Sequence, residues 1–260
     1  MGRLENKALI ITGTTGIGAA TARMAAAEGA RVLVASRDEE SCFDLGAATG
    51  AECWVGDLLE PNAAESILTH CLSKFGRVDG LFNVAGLSGR RFGDGPVHEC
   101  SDEGWELTLA NNLTTMFRMC RAVVGRMLVQ EPDANGIRGA ILNMGSISAE
   151  SPEPRHFATH AYAAGKGAVT AMSRSMAAYY APYRIRVNVL APGLVRTPMS
   201  QRAQDSKEVL EFMTRKQPLT GGMVEAEDVA RAALFLLGDD ARTITGDVVK
   251  VDAGWSVSGV

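Results

Sequence analysis

Lys7-Ala8-Leu9-Ile10-Ile11-Thr12-Gly13-Thr14-Thr15-Gly16-Ile17-Gly18 decides the fold. A short apolar run, Lys7–Thr12, enters a turn rich in glycine, and Ile17–Glu28 follows, rich in alanine with few breakers. An apolar run this short predicts a strand buried on both faces, as parallel strands are. The alanine-rich stretch predicts a helix that Gly29 ends. Glycines between a strand and a helix let the backbone turn tightly and approach a pyrophosphate, whose charge the helix N-terminus stabilises. A glycine cluster alone is weak evidence, because an ordinary strand-to-helix turn also uses it.

The same alternation continues outward. Strands are predicted at Arg31–Ser36, Ala51–Gly56, Val78–Val84, Gly139–Met144, Ile185–Leu190 and Asp247–Val251. Helices are predicted at Asp38–Ala48, from Pro61 to Phe75, at Tyr162–Ala181 and at Ala226–Leu237. One long helix is predicted over Asp102–Gln130, broken by Glu131-Pro132-Asp133-Ala134-Asn135-Gly136. Alternating elements of these lengths imply parallel β-α-β units. Right-handed crossovers then give a Rossmann-like, doubly wound α/β fold with helices on both faces. No linker or repeat divides residues 1–260, so one domain is expected.

The 260 residues are 46% hydrophobic and 22% charged, enough to build a core without disulfides or metals. A net charge of −4 argues against nucleic acid as the main partner, which needs clustered Lys and Arg. Five cysteines, with no C-x-x-C pair, predict a reduced, cytoplasmic protein. No apolar run is long enough to predict a membrane span.

Tyr162 and Lys166 stand at i and i+4 on one predicted helix, so they share a face. A lysine ammonium beside a phenol favours the phenolate and is expected to pull the tyrosine pKa down toward working pH. A helical Tyr and Lys that meet by chance is the plain alternative. The combination is more telling: the glycine turn, Asp57, Asn83-Val84-Ala85-Gly86, Ser146 and Pro192-Gly193 all follow predicted strands. Ligands bind at those carboxyl ends.

On these motifs the chain resembles the short-chain dehydrogenase/reductase family over essentially its whole length, in its compact, single-domain branch. The resemblance implies a catalytic set of Asn112, Ser146, Tyr162 and Lys166, with Ser148 as the runner-up for the serine. It assigns cofactor binding to Gly13, Thr15, Gly16, Ile17 and Gly18 on the turn, and to Ser36, Arg37, Asp57 and Leu58 beyond strands two and three. It adds Asn83, Ala85 and Gly86 after the fourth strand, Tyr162 and Lys166 again, and Pro192, Gly193, Val195 and Thr197. The implied reaction moves a hydride between NAD(P) and a carbonyl or secondary alcohol. Ser146 orients the substrate oxygen and Tyr162 exchanges its proton. Lys166 lowers the tyrosine pKa and binds the nicotinamide ribose, and Asn112 positions a water. No metal is implied. A small-molecule substrate and a homo-oligomer, a tetramer, are expected.

Three departures stand out. Only Thr14 and Thr15 separate the first two glycines, one residue fewer than usual, and the spacing Gly13, Gly16, Ala19 resembles the extended branch that includes epimerases and dehydratases. Val84 replaces the second asparagine of the usual pair, which predicts a missing sheet hydrogen bond. The segment from Ser146 to Tyr162 is longer than typical, which predicts an enlarged loop at Glu150–His160 over the substrate pocket.

At the end of strand two, Ser36 stands where relatives that prefer NAD carry an acid, and Arg37 follows it. The pair predicts NADP(H) over NAD(H), with NAD(H) possible. Two rival functions remain: an epimerase or dehydratase that retains its cofactor, separable by net NAD(P)H consumption, and a dinucleotide-sensing module that binds without turnover. His156 and His160, four apart, are expected to be loop residues rather than a metal pair. Arg90 and Arg91 fall on the substrate side, where an acidic substrate or plain solvation would explain them. Cys120 is expected to be an inert, buried thiol.

Overall fold

The computed structural model describes residues 2–259. Seven parallel strands form one sheet in the order β3-β2-β1-β4-β5-β6-β7. They are β1 Ala8–Thr12, β2 Arg31–Ser36, β3 Glu52–Val55, β4 Gly80–Asn83, β5 Gly139–Met144, β6 Ile185–Pro192 and β7 Val248–Val251. The helices are α1 Gly16–Ala27, α2 Glu39–Thr49, α3 Ala63–Phe75, α4 Asp102–Leu109, α5 Thr115–Val129 and α6 His160–Tyr180, then α7 Gln201–Gln204, α8 Lys207–Lys216 and α9 Ala226–Leu237. Strand order reverses between β1 and β4, so the crevice above their carboxyl ends is the topological switch point.

Side-chain alternation along β1 supplies both faces of the core. Leu9 and Ile11 pack with α1 and α9 through Ala22, Val229 and Leu234. Ile10 packs on the opposite face with Ile67 of α3, Met119 and Val123 of α5, and Val169 of α6. All five β1 side chains are buried, as a strand covered on both faces requires.

The predicted long helix at Asp102–Gln130 is instead two α-helices joined by a π-helical turn, Ala110–Thr114. There the Thr115 N–H bonds back to the Ala110 carbonyl, five residues earlier. Propensity patterns do not encode this insertion, because every residue in it is compatible with an α-helix. The turn holds Asn112, and such bulges occur often at functional sites. The predicted third and fourth strands are shorter at both ends than their apolar runs. The region 198–224, which no sequence pattern organised, forms α7 and α8.

The Thr12 hydroxyl accepts the backbone N–H of Val84 at 3.0 Å and of Ala85 at 3.1 Å, tying the end of β1 to the segment beyond β4.

Candidate active site

A cleft of about 500 Å³ opens over the switch point. Its floor is the glycine turn. Gly13 has φ +98° and Gly16 has φ +49°, conformations that side chains rarely adopt. A Cβ on Gly16 would stand 2.8 Å from Thr197 Cγ2, so the missing side chain also makes room for the segment beyond β6. Helix α1 begins here with no side-chain cap at Thr15 and no acid in its first turn. Its free N–H groups and positive dipole end therefore suit an anion. This uncapped helix start beneath a bare backbone cradle fits a dinucleotide pyrophosphate.

Most residues that the family resemblance assigned to the cofactor line this cleft: Gly13, Thr15, Gly16 and Ile17; Ser36, Arg37, Asp57 and Leu58; Ala85 and Gly86; Tyr162 and Lys166; Pro192, Gly193, Val195 and Thr197. Two do not. Gly18 sits behind the turn, where a Cβ would lie 2.4 Å from the Gly13 carbonyl oxygen, so its part is to let α1 approach the strand. The Asn83 side chain turns into the core, donating to Asn143 Oδ1 at 2.8 Å and to Cys120 Sγ at 3.4 Å. Asn143 in turn donates to the Ser173 hydroxyl at 2.9 Å. Asn83 thus joins β4 to β5 and α6, because the pleat points its side chain away from the cleft. Cys120 is fully buried, and burial pushes its thiol up to about 12, consistent with an inert thiol.

The four catalytic candidates converge on the cleft. Ser146 caps the short turn Ile147–Ala149, and its Oγ lies 2.7 Å from Ser148 Oγ. The Tyr162 side chain is half-buried on the cleft wall, with its phenol facing the Ser146 side chain. Lys166 Nζ donates to the Met144 carbonyl at 2.9 Å and lies 5.5 Å from the Tyr162 ring centroid. Asn112 Nδ2 donates to the carbonyls of Thr108 and Leu87, both at 2.9 Å, while its buried Oδ1 has no protein partner. A Cβ on Gly86 would stand 2.5 Å from that oxygen and 3.8 Å from Lys166 Nζ, which locates both polar atoms beside the same bare glycine.

The electrostatics correct one expectation. Burial holds the Tyr162 phenol above its ordinary range, and the Ser146 hydrogen bond only partly opposes it. Lys166 faces the ring and is tied to a backbone carbonyl rather than to the phenol oxygen. Its own burial lowers it to about 8, because a desolvated ammonium is unfavourable. The protein alone therefore keeps Tyr162 protonated at neutral pH, and Lys166 loses its charge as pH rises through about 8.

Asp94 places Tyr162 and has no signature in the sequence. Its Oδ1 accepts the Ala161 N–H and its Oδ2 the Tyr162 N–H, both at 2.9 Å, capping α6 from a distant loop. The local N-cap residue, Thr159, makes no side-chain cap. A buried carboxylate at a helix N-terminus gains from both charged hydrogen bonds and the dipole. Asp94→Ala is expected to destabilise the fold by roughly 1.5–3 kcal/mol, the range for a charged hydrogen bond. Urea unfolding measures it, and an unchanged midpoint would refute this role.

Phe157 and Trp255 wall one end of the cleft. Phe157 packs on Trp255 with centroids 5.6 Å apart, and Trp255 Nε1 donates to the Ser151 carbonyl at 3.0 Å. Segment 150–160 is thereby tied to the C-terminal segment. His156 lies against Phe212 with ring centroids 5.0 Å apart and the rings tilted by 53°, whereas His160 is exposed at the start of α6.

A family profile described as enoyl-(acyl carrier protein) reductase matches residues 11–256. Dehydrogenase/reductase SDR family member 6 of Rattus norvegicus is 32% identical over 262 residues, covering 99% of this chain and 100% of the relative. D-threitol dehydrogenase of Mycolicibacterium smegmatis is 34% identical, covering 98% of this chain and 95% of the relative. The crystal structure of gox2181 superposes with a TM-score of 0.88 at 30% identity, covering 98% of this chain and 97% of that one.

Proposed function

Because this chain belongs to the short-chain dehydrogenase/reductase family, we propose that it transfers a hydride between NAD(P) and a carbonyl or secondary-alcohol carbon, with Tyr162 as general acid/base. The observation that carries this reading is the convergence of Ser146, Tyr162, Lys166 and Asn112 beside a cleft whose floor fits a dinucleotide. The nicotinamide supplies or accepts the hydride. Ser146 donates to the substrate oxygen and fixes its distance from the phenol. Tyr162, held protonated by burial, gives its proton to that oxygen in reduction and takes one in oxidation. Lys166 bonds the ribose and, while it is protonated below about pH 8, adds positive charge next to the phenol as the proton leaves it. Asn112 Oδ1 accepts from a water that relays protons from Lys166 to solvent. The whole chain acts as one domain, and its five free cysteines support a reducing, cytoplasmic setting. Among the described residues, no helix is long and apolar enough to cross a membrane.

The test is a panel of ketones, aldehydes and secondary alcohols followed at the absorbance of the reduced nicotinamide, in both directions. Turnover with net consumption of NAD(P)H supports the redox reading. Product formation without net consumption would favour an epimerase or dehydratase, and binding without turnover a sensor.

NADP(H) is the preferred cofactor in this reading. Arg37 follows β2 at the rim of the cleft, its Nη1 3.7 Å from Asp57 Oδ2, and both side chains are well exposed. Such a pair contributes little, so the guanidinium is available to a 2′-phosphate. Arg37→Ala is expected to lower kcat/KM with NADP(H) selectively, by roughly 1.5–3 kcal/mol of binding. Equal or NAD-favouring values in the wild type would overturn the preference.

A homotetramer completes the proposal. Phe117 and Val129 on α5 and Tyr179 on α6 are 43%, 72% and 65% exposed, large apolar faces on the two helices expected to pair between subunits. Light scattering at micromolar concentration is expected to give a tetramer mass, and a monomer mass would refute it.

A further inference from the structure

The substrate half of the cleft carries three arginines, Arg90, Arg91 and Arg202, against one carboxylate, Glu153. Glu153 is already engaged: its oxygens accept the backbone N–H groups of Arg155 at 2.9 Å and His156 at 2.8 Å. Among the described residues, none of the three arginines has a carboxylate within ion-pair distance.

Arg90 and Arg202 reach the site from different walls. Arg90 lies on the turn Arg90–Phe92 beyond β4, and Arg202 on α7. Both donate to a single neutral acceptor, the His156 carbonyl, at 3.3 Å and 3.0 Å. Each guanidinium has five N–H donors, so one shared carbonyl leaves most of them unused. Two like charges gathered on one oxygen repel. Burial and the Arg90 charge both hold Arg202 below the ordinary arginine range. The Arg202 guanidinium also lies 5.9 Å from the Phe157 ring centroid, so the cationic rim borders an aromatic wall. Arg37 is not part of this group: it follows β2, on the far side of β1 in the sheet.

We propose that Arg90 and Arg202 recognise an anionic group, carboxylate or phosphate, on the compound whose carbonyl or alcohol carbon reacts at Tyr162. This specifies the substrate class of the oxidoreductase reading above and rests on it. The guanidinium fork suits either oxyanion bidentately, and an anion between the two arginines relieves their mutual repulsion. The phenylalanine and tryptophan of the wall then hold the apolar body of the same molecule, with its carbonyl directed to Ser146.

The test has a binding arm and a turnover arm. Calorimetry on the full chain with NADP⁺ present compares butyrate, butyl phosphate and butyramide. Turnover compares a short keto acid, the matching keto phosphate and the neutral keto amide. The expected result is that at least one anion is preferred over the amide by about tenfold or more, as for a charged hydrogen bond. Arg202→Gln and Arg90→Gln should each remove most of that preference, and Arg202→Lys, which keeps the charge without the fork, part of it. Arg155→Gln removes a nearby charge outside the cleft, one paired with Glu208, and should retain the preference. The tighter anion identifies the head group. An amide bound as tightly as both anions, or equal losses in Arg155→Gln and Arg202→Gln, overturns the proposal. Anion binding that depends on Arg90 and Arg202 without any turnover sustains the site and refutes the oxidoreductase reading. Turnover with no preference for anions does the reverse.

Discussion

Tyr162→Phe lowers kcat by roughly 10²–10⁴-fold, the usual loss when a positioned acid/base is removed, and leaves the dissociation constant of NAD(P)H close to the wild-type value. The substitution deletes one oxygen from a side chain whose ring lies 5.5 Å from Lys166 Nζ and keeps its place. Desolvation keeps the phenol protonated beside Ser146, and in the proposed reduction it is the group that gives its proton to the substrate oxygen. Phenylalanine fills the same volume and has no proton to give. Single-turnover measurement with saturating cofactor separates the chemical step from binding. Activity above a few per cent of wild type would mean that Ser146 or a water supplies the proton instead.

Gly18→Ala is expected to weaken NAD(P)H binding by about 1–3 kcal/mol, the cost of overpacking a tight contact, or roughly 5- to 150-fold in the dissociation constant. The added methyl would sit 2.4 Å from the Gly13 carbonyl oxygen, and backbone on both sides leaves no flexible group to yield. Helix α1 must then back away from the turn, carrying its uncapped N–H groups out of range of a pyrophosphate. A fluorescence titration of NAD(P)H measures the loss. Wild-type affinity in this variant would show that the closeness of helix and strand does not govern the phosphate site.

The layout of the sheet was legible because parallel strands buried on both faces leave short, nearly continuous apolar runs, and Leu9–Ile11 is such a run. The cleft residues were legible for a related reason: they stand at strand ends, where backbone geometry fixes them within a few residues of a recognisable pattern. Tyr162 and Lys166 carry their relation in a spacing of four. Asp94 carries none, because it acts on α6 across a fold that only tertiary structure closes. Arg202 carries none either, because it lies on a four-residue helix that no periodicity marks. Asn83 shows the opposite failure. Its position in the motif was legible, but the pleat decides which way a side chain points, and here it points inward.

The π-helical turn at Ala110–Thr114 makes chain length itself a constraint on the cleft. One residue more than an α-helix needs is lodged between α4 and α5, so the two helices are out of phase with each other by one position. Removing a residue from the turn would heal the helix and bring its two apolar stripes to a new relative angle. Thr108 and Leu87 would then no longer face the same amide, and the oxygen that Asn112 directs toward Gly86 and Lys166 would swing off its bearing. A deletion here is therefore the reverse of a harmless trim: local helical regularity would rise while the cleft lost one of its four polar corners.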